Sequence, residues 1–169
     1  MLIRDASPER DAAACASIYA PYVRDTAISF EEEAPGIAEM AARIERLTKT
    51  HAWLVAQAQD EILGYAYACP HRERAAYRWT TEVSVYVDAR HQRRGAGRQL
   101  YEALLRMLAE QDYRVALAVI GLPNDASVAF HESFDFKRVG VYRGLGFKLG
   151  QWWDVGWWQL DLAPRTPES

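Results

Sequence analysis

The length, composition and charge of the chain are those of one ordinary globular domain. Its 169 residues are 50% hydrophobic and 25% charged, and a chain of this size can bury about 70% of its unfolded surface. The formal net charge of -3 argues against generic nucleic-acid binding, which usually makes a domain basic. Cys15 and Cys69 have no metal-ligand spacing, so neither a disulfide framework nor a metal site is expected.

Targeting and membrane signals are weak throughout the sequence. The first five residues have no apolar targeting core, and no stretch approaches the roughly 18 apolar residues of a membrane span. We therefore expect a cytoplasmic protein without membrane contact. Without linkers or repeats in the sequence, one domain is predicted over residues 1–163, followed by a flexible tail over 164–169.

The first half of the chain alternates strand and helix patterns. Ser7-Pro8 has the composition of a helix cap and first turn, and Met40, Ile44 and Leu47 would share one face of a second helix. A turn at Gln59-Asp60 joins two apolar strands, which should pair in antiparallel fashion. The predicted elements are a strand at 2–4, a helix from 8 to about 23, a helix from 35, and strands at 53–56, 62–68 and 80–87.

The second half predicts a crossover and a final pair of strands. An apolar stripe runs along a helix through Leu100, Leu104 and Leu108, and residues 115–120 form a continuous apolar run typical of a buried strand. This strand should lie parallel to 80–87. A helix over 124–134, capped by Asn124, and strands at 139–147 and 152–162 complete the chain. The fold class is α/β (α+β), with a mixed, mostly antiparallel sheet, helices on both faces and a central βαβ crossover.

The run Gln92-Arg93-Arg94-Gly95-Ala96-Gly97-Arg98 lies where a strand passes into the long helix. Glycines allow a tight turn close to an oxyanion, and the first N–H groups of a helix have no intrahelical acceptor. A P-loop would need Lys-Ser/Thr after its last glycine, and a dinucleotide fingerprint would need a small residue in place of Leu100. The run is therefore interpreted as a pyrophosphate cradle, with a solvated arginine face as the alternative.

Two motifs resemble those of the GNAT superfamily of acetyl-CoA-dependent N-acyltransferases. The glycine run matches Gln/Arg-x-x-Gly-x-Gly/Ala, and Asn124-Asp125-Ala126-Ser127 with Phe130-His131 matches a second signature. The segments 79–82, 90–93, 119–125 and 152–160 resemble the phosphinothricin N-acetyltransferase branch. The resemblance implies a GNAT-like fold, a homodimer and a small amino-acid-like amine substrate.

The resemblance also implies where acetyl-CoA would bind. Its diphosphate would accept hydrogen bonds from the cradle, its pantetheine arm would pair with the strand before it, and Asn124 and Ser127 would hold the far end of that arm. A bulge near this strand would free the Val85 N–H to polarise the thioester carbonyl. The expected cofactor-binding residues are Val85, Tyr86, Val87, Arg93, Arg94, Gly95, Ala96, Gly97, Arg98, Asn124 and Ser127.

Three groups are candidates for the catalytic chemistry. Glu82, just before Val85, is the candidate base, because an amino-acid amine must lose a proton before it attacks. His131 stands where many members of the superfamily carry a tyrosine that protonates the leaving thiolate, and it either serves as that donor or simply packs on its helix. Tyr142 is a weaker alternative donor. Asp135 replaces the usual glycine, but aspartate tolerates a left-handed turn.

The basic segment 71–77 is expected to determine the acceptor. By resemblance, the amino-acid pocket is lined by Phe30, Tyr67, Arg72, Arg74 and Tyr77. Guanidinium groups bind carboxylate, phosphinate or sulfone oxygens through forked donors, which would suit phosphinothricin or methionine sulfoximine and sulfone. The residues do not separate these substrates. They also leave open acetylation of a protein amino terminus or another small amine, and a non-catalytic module that senses CoA or binds RNA.

The tryptophans at 152, 153, 157 and 158 favour packing rather than a ligand platform. In a strand, Trp153, Val155 and Trp157 would share one face, while Trp152 and Trp158 would share the other. A strand that is apolar on both faces must be covered on both. We therefore expect a partner subunit, and hence a homodimer.

Overall fold

A seven-stranded sheet and four α-helices form the computed structural model, which describes residues 1–163. The tail expected at 164–169 lies outside the described residues. The helices are α1 (Pro8–Asp25), α2 (Ile37–Leu47), α3 (Ala96–Glu110) and α4 (Asp125–Glu132). The strands are β1 (Leu2–Asp5), β2 (Trp53–Ala58), β3 (Glu61–Pro70), β4 (Thr80–Val87), β5 (Val115–Leu122), β6 (Lys137–Lys148) and β7 (Gln151–Asp161).

The order of the strands in the sheet is β1-β2-β3-β4-β5-β7-β6. Among the strands of residues 1–163, only β4 and β5 pair in parallel, and α3 is the crossover between them. All other neighbours are antiparallel. This confirms the mixed, mostly antiparallel sheet with a central βαβ unit. Among the described helices, none combines the length and apolar character needed to cross a bilayer.

Several local predictions hold, and one is wrong. Asn124 caps α4 by accepting a hydrogen bond from the Ser127 N–H at 3.1 Å, and Asp135 adopts a left-handed φ of 68°. The bulge expected near Val85 is absent, because β3 and β4 pair in continuous register from Gly64–Val87 to Pro70–Thr81. The edge of β4 that faces β5 is instead opened by the separation of the two strands.

Alternation along the strands gives the protein two apolar cores on opposite faces of the sheet. Leu54 and Ala56 of β2 pack with Leu100 and other residues of α3. Val55, between them, packs on the other face with Ile44 of α2 and with α1. Because side chains alternate with a period of two, each strand serves both layers, and helices cover both faces as predicted.

The face that carries α1 and α2 is left open over β5, β7 and β6. Val119 is 41% exposed and Tyr142 is 55% exposed on this part of the sheet. Trp157 is half-buried there, whereas Trp158 is 2% exposed in the core on the α3 side. Trp152, which was expected to share the face of Trp158, is 68% exposed. Its position at the start of β7 places it outside that core.

A buried ion pair fixes the start of α1 against β1. The Arg4 guanidinium binds both carboxylate oxygens of Asp11 at 2.8 Å, and the Ser7 N–H donates to the same carboxylate at 2.7 Å. Burial alone would raise the pKa of Asp11, but these donors outweigh it and hold the pKa below its ordinary value. The pair therefore stabilises the fold at neutral pH.

We expect Asp11→Asn to lower the free energy of unfolding at pH 7 by about 3 kcal/mol, because Arg4 loses its buried partner. The pair's contribution is complete above the pKa of an unfolded aspartate, about 4, and is lost as the pH falls through the lowered pKa of the folded state. Urea denaturation at several pH values measures this effect. The exposed Asp25→Asn is the control, and equal midpoints for the two variants at pH 7 would contradict the prediction.

Candidate active site

The central feature of the site is a gap between the parallel strands. β4 and β5 pair only from Thr80 to Glu82, whereas β5 pairs with β7 over all of Val115–Leu122. Because β5 follows β7, it leaves the edge of β4 open beyond Glu82. A cleft of about 600 Å³ lies at this gap, with walls that include Val85, Gly97, Val119, Asn124 and Phe130. We call it the cofactor cleft.

The glycine run forms the outer end of the cofactor cleft. Gly95 has a left-handed backbone, with φ of 81°, and is the residue before α3. The first intrahelical bond runs from the Gln99 N–H to the Gly95 carbonyl at 3.1 Å, so the earlier N–H groups of α3 have no acceptor within the helix. Arg93 is also left-handed, with φ of 65°. This arrangement of amide donors suits an anion.

Not all the predicted cradle side chains reach the cleft. Arg93 and Arg98 line it, together with the backbone of residues 95–97. Arg98 also donates to the Ser133 hydroxyl at 2.9 Å and stacks on the Phe134 ring. The Arg94 side chain instead contacts His91 Nδ1 at 3.1 Å and is not among the residues that line the cleft.

The inner walls of the cofactor cleft come from β4 and α4. Val85, Tyr86, Val87, Asn124 and Ser127 all line it, as the resemblance implied. The Val87 carbonyl, however, accepts a hydrogen bond from the Tyr22 hydroxyl. A ligand that pairs with this strand would therefore depend mainly on the other open backbone groups of β4.

His131 is buried in the wall of the cofactor cleft and both its ring nitrogens have partners. Nδ1 lies 2.7 Å from the Ser127 carbonyl, and Nε2 lies 2.8 Å from the Tyr101 hydroxyl. Because a carbonyl can only accept, Nδ1 carries the proton and Nε2 accepts from Tyr101. Burial lowers the pKa of His131, although the Ser127 carbonyl opposes this effect. The geometry favours the packing role over the donor role.

Glu82 lies at the point where β4 and β5 separate, and it is paired with a histidine. Its Oε2 atom is 2.8 Å from His71 Nδ1, and the two side chains are 26% and 13% exposed. The sequence analysis included His71 in the segment expected to determine the acceptor, but it did not predict this pairing with Glu82. The register of β3 and β4 accounts for the pair, since Cys69 lies opposite Glu82 and His71 follows Cys69 by two residues.

A second cleft, of about 430 Å³, lies beside this pair on the open face of the sheet. Its walls include His71, Arg72, Leu117, Tyr142 and Trp157. We call it the acceptor cleft. The two clefts approach each other along β5, where Leu117 lines the acceptor cleft and Val119 and Gly121 line the cofactor cleft. Tyr142, considered as a donor to the thiolate, lines the acceptor cleft and not the cofactor cleft.

The predicted acceptor residues are only partly brought together. Arg72 lines the acceptor cleft, and the Tyr77 ring lies 5.6 Å from the His71 ring. Arg74 is exposed and is not part of the cleft wall. Tyr67 stacks on Trp53 with ring centroids 4.4 Å apart. Phe30 lies against Gly121 of β5 and Gly146 of β6.

This geometry agrees with comparisons to known proteins. Residues 4–157 match the family model described as the acetyltransferase (GNAT) domain. The chain is 41% identical over 157 residues to a phosphinothricin N-acetyltransferase of Streptomyces viridochromogenes, covering 93% of this chain and 86% of the relative. It is 34% identical over 164 residues to an L-methionine sulfoximine/L-methionine sulfone acetyltransferase of Pseudomonas aeruginosa, covering 96% of this chain and 95% of the relative.

A solved structure gives the same result for the fold. The phosphinothricin acetyltransferase of Sinorhizobium meliloti, in complex with acetyl-CoA, has a TM-score of 0.90 and 32% identity, covering 95% of this chain and 87% of that one. The chain therefore belongs to the GNAT acetyltransferase family and is an acetyl-CoA-dependent N-acetyltransferase. The amide donors and arginines of the cofactor cleft fit the diphosphate of acetyl-CoA, and the open edge of β4 fits its amide-containing arm.

We expect Gly95→Ala to weaken acetyl-CoA binding about tenfold, because an alanine in the left-handed region costs about 1–2 kcal/mol and the loop would relax away from the diphosphate. Isothermal titration calorimetry measures the dissociation constant. Gly150→Ala is a matched control, since Gly150 is also left-handed, with φ of 76°, but belongs to the turn between β6 and β7. Equal effects of the two variants on the dissociation constant would contradict the prediction.

Proposed function

We propose that the protein acetylates the free amine of a small amino acid resembling phosphinothricin or methionine sulfoximine and sulfone, by direct attack on acetyl-CoA. The observation that carries the proposal is the position of the Glu82–His71 pair. Glu82 is the last residue of β4 that pairs with β5, and the cofactor cleft begins directly after it. His71 lines the acceptor cleft. An amine bound in one cleft would thus meet the thioester held in the other.

Arg72 supports an acceptor that carries an anionic or strongly polar end. Its exposed guanidinium lines the acceptor cleft, and guanidinium groups bind carboxylate, phosphinate and sulfone oxygens through two parallel donors. The named activities of the relatives concern acceptors of this chemistry. Arg72 also disfavours a polycationic acceptor by charge repulsion, whereas a peptide amino terminus stays the principal alternative.

Glu82 would take the proton that the amine must lose. An amino-acid amine with a pKa of about 9 to 10 is mostly protonated at neutral pH, and its deprotonation costs roughly 3 to 4 kcal/mol. The carboxylate is half-buried and hydrogen-bonded to His71 Nδ1, and His71 lines the acceptor cleft. The Val85 N–H would stabilise the negative charge that develops on the thioester oxygen. After transfer, CoA leaves as the thiol or thiolate.

The proposal predicts that thiol release from acetyl-CoA is fastest with phosphinothricin, methionine sulfoximine or methionine sulfone, compared with ordinary amino acids and short peptides. Glu82→Gln should lower kcat at least about 100-fold, the lower range for a general base. Its dissociation constant for acetyl-CoA should stay within about twofold, since the carboxylate does not contact the cradle.

The matched control for Glu82→Gln is Glu110→Gln, at the exposed end of α3, which should retain the parent rate. Faster release with peptides than with any amino acid would replace the proposed acceptor with the alternative. An unchanged kcat in Glu82→Gln would remove the carboxylate from the mechanism.

We also propose that two copies of the chain associate through the β6–β7 side of the sheet. β6 is an edge strand of 12 residues, and long exposed apolar edges are usually covered. Several large apolar side chains of this hairpin are more than half exposed: Val139, Tyr142, Leu145, Phe147, Leu149 and Trp152. The cytoplasmic location and the absence of a nucleic-acid partner stay predictions from the sequence.

Light scattering at micromolar concentration should give twice the chain mass of 19.2 kDa. Trp152→Lys should shift the mass toward the monomer without unfolding it, because Trp152 is already 68% exposed in the single chain. Arg24→Ala, on an exposed position of α1, is the control and should stay dimeric. A monomeric mass for the parent protein would reject the association.

A further inference from the structure

Three parts of the protein hold a short segment of the connection between α1 and α2, the Ser29–Glu31 segment. The Tyr19 hydroxyl of α1 lies 2.6 Å from the Ser29 hydroxyl and also donates to the Glu31 carboxylate. Arg43 of α2 binds both oxygens of that carboxylate at 2.6 and 3.0 Å. The Glu31 N–H donates to the Ser29 hydroxyl at 3.1 Å. Connecting segments are ordinarily more mobile than the elements they join, whereas side chains of α1 and α2 hold this one in place.

The third contact comes from β6, the strand at the edge of the sheet. Lys148, at the end of β6, is only 6% exposed, and its Nζ donates to the Ser29 carbonyl at 2.5 Å. Burial lowers the pKa of Lys148, and the nearby Glu31 and Glu32 oppose that effect. Burying an ammonium group costs free energy unless it is hydrogen-bonded. A lysine at this position therefore needs an explanation beyond filling space.

The Ser29–Glu31 segment places the ring of Phe30, which is 41% exposed, across the face of the sheet against a glycine of β5 and a glycine of β6. A Cβ atom at Gly146 of β6 would lie 2.2 Å from Phe30 Cε2, and one at Gly121 of β5 would lie 3.4 Å from Phe30 Cε1 and 2.7 Å from the Ala27 carbonyl. Only glycines leave room for this approach. Ile28, directly before the segment, lines the cofactor cleft with Val119 and Gly121.

We infer that Lys148 is a positioning residue. It fixes the Ser29–Glu31 segment and thereby sets the place of the Phe30 ring beside Gly121, a residue of β5 that lines the cofactor cleft. The inference rests on the proposed function, since it takes the open face of β5 as the place of the acceptor. Phe30 and Ile28 would close the thioester end from one side. The hydrogen bond from Lys148 holds this wall to the β6–β7 hairpin.

The test compares Lys148→Met with Lys137→Met, an exposed lysine at the start of the same strand. Methionine keeps most of the side-chain volume but leaves the Ser29 carbonyl without its donor. We expect the KM for methionine sulfone to rise about tenfold, the factor that corresponds to about 1.4 kcal/mol. The dissociation constant for acetyl-CoA should change less than twofold, because Lys148 is not among the residues that line the cofactor cleft. Lys137→Met should match the parent in both.

Amide hydrogen exchange gives a readout that does not depend on any acceptor. In Lys148→Met, residues 26–36 should exchange faster than in Lys137→Met, while α3 should be unchanged. Equal exchange of 26–36 in the two variants would overturn the inference. If the parent acetylates no amino acid, the proposed function fails, and the exchange result still decides the role of Lys148 in holding the segment.

A second variant keeps the inference falsifiable if Lys148→Met does not fold. Gly146→Ala forces the Phe30 ring to move, because the new methyl group would overlap it, and it should raise the acceptor KM in the same direction. Gly36→Ala is its control, since a Cβ atom there meets nothing within 4 Å. An acceptor KM for Gly146→Ala equal to that of Gly36→Ala would also overturn the inference.

Discussion

The hydrogen-bonding preference of β5 is the constraint on which the site depends. This strand pairs with β7 over eight residues and with β4 over only three. The resulting gap creates the cofactor cleft, exposes the edge of β4 and places Glu82 at the gap's inner end. At the outer end, the left-handed Gly95 turns the chain into α3 with its first amide groups toward the cleft. One departure from regular pairing thus generates both the binding surface and the position of the proposed base.

Local rules of helix and strand formation were enough to predict much of the fold from the sequence. The strand and helix periods gave the βαβ unit, and the short polar side chains gave the Asn124 cap and the left-handed Asp135. The parts of the site that the sequence did not predict depend on strand register and on loop conformation. The His71–Glu82 pair requires the β3–β4 register, and Arg94 turns toward His91 because of the shape of its loop. The Val85 bulge was wrong because strand separation replaces it.

The two faces of the sheet differ in how completely helices cover them. On the α3 side, a buried apolar core that includes Ala96 and Leu100 supports the start of α3 behind the cradle. On the other side, α1 and α2 cover only part of the sheet, and the uncovered part carries the acceptor cleft and the apolar surface of the hairpin. The open face would therefore combine two proposed roles, since acceptor binding and the subunit contact would occupy neighbouring areas.

The fit of Phe30 between Gly121 and Gly146 has a consequence for attempts to redesign the enzyme. Neither glycine can gain a side chain without displacing the aromatic ring or the Ala27 carbonyl, so random libraries at those two positions would return mostly inactive clones. Shortening residue 30 is the productive first move toward bulkier acyl donors or acceptors. Further substitutions could then be made around this enlarged space while both glycines are kept.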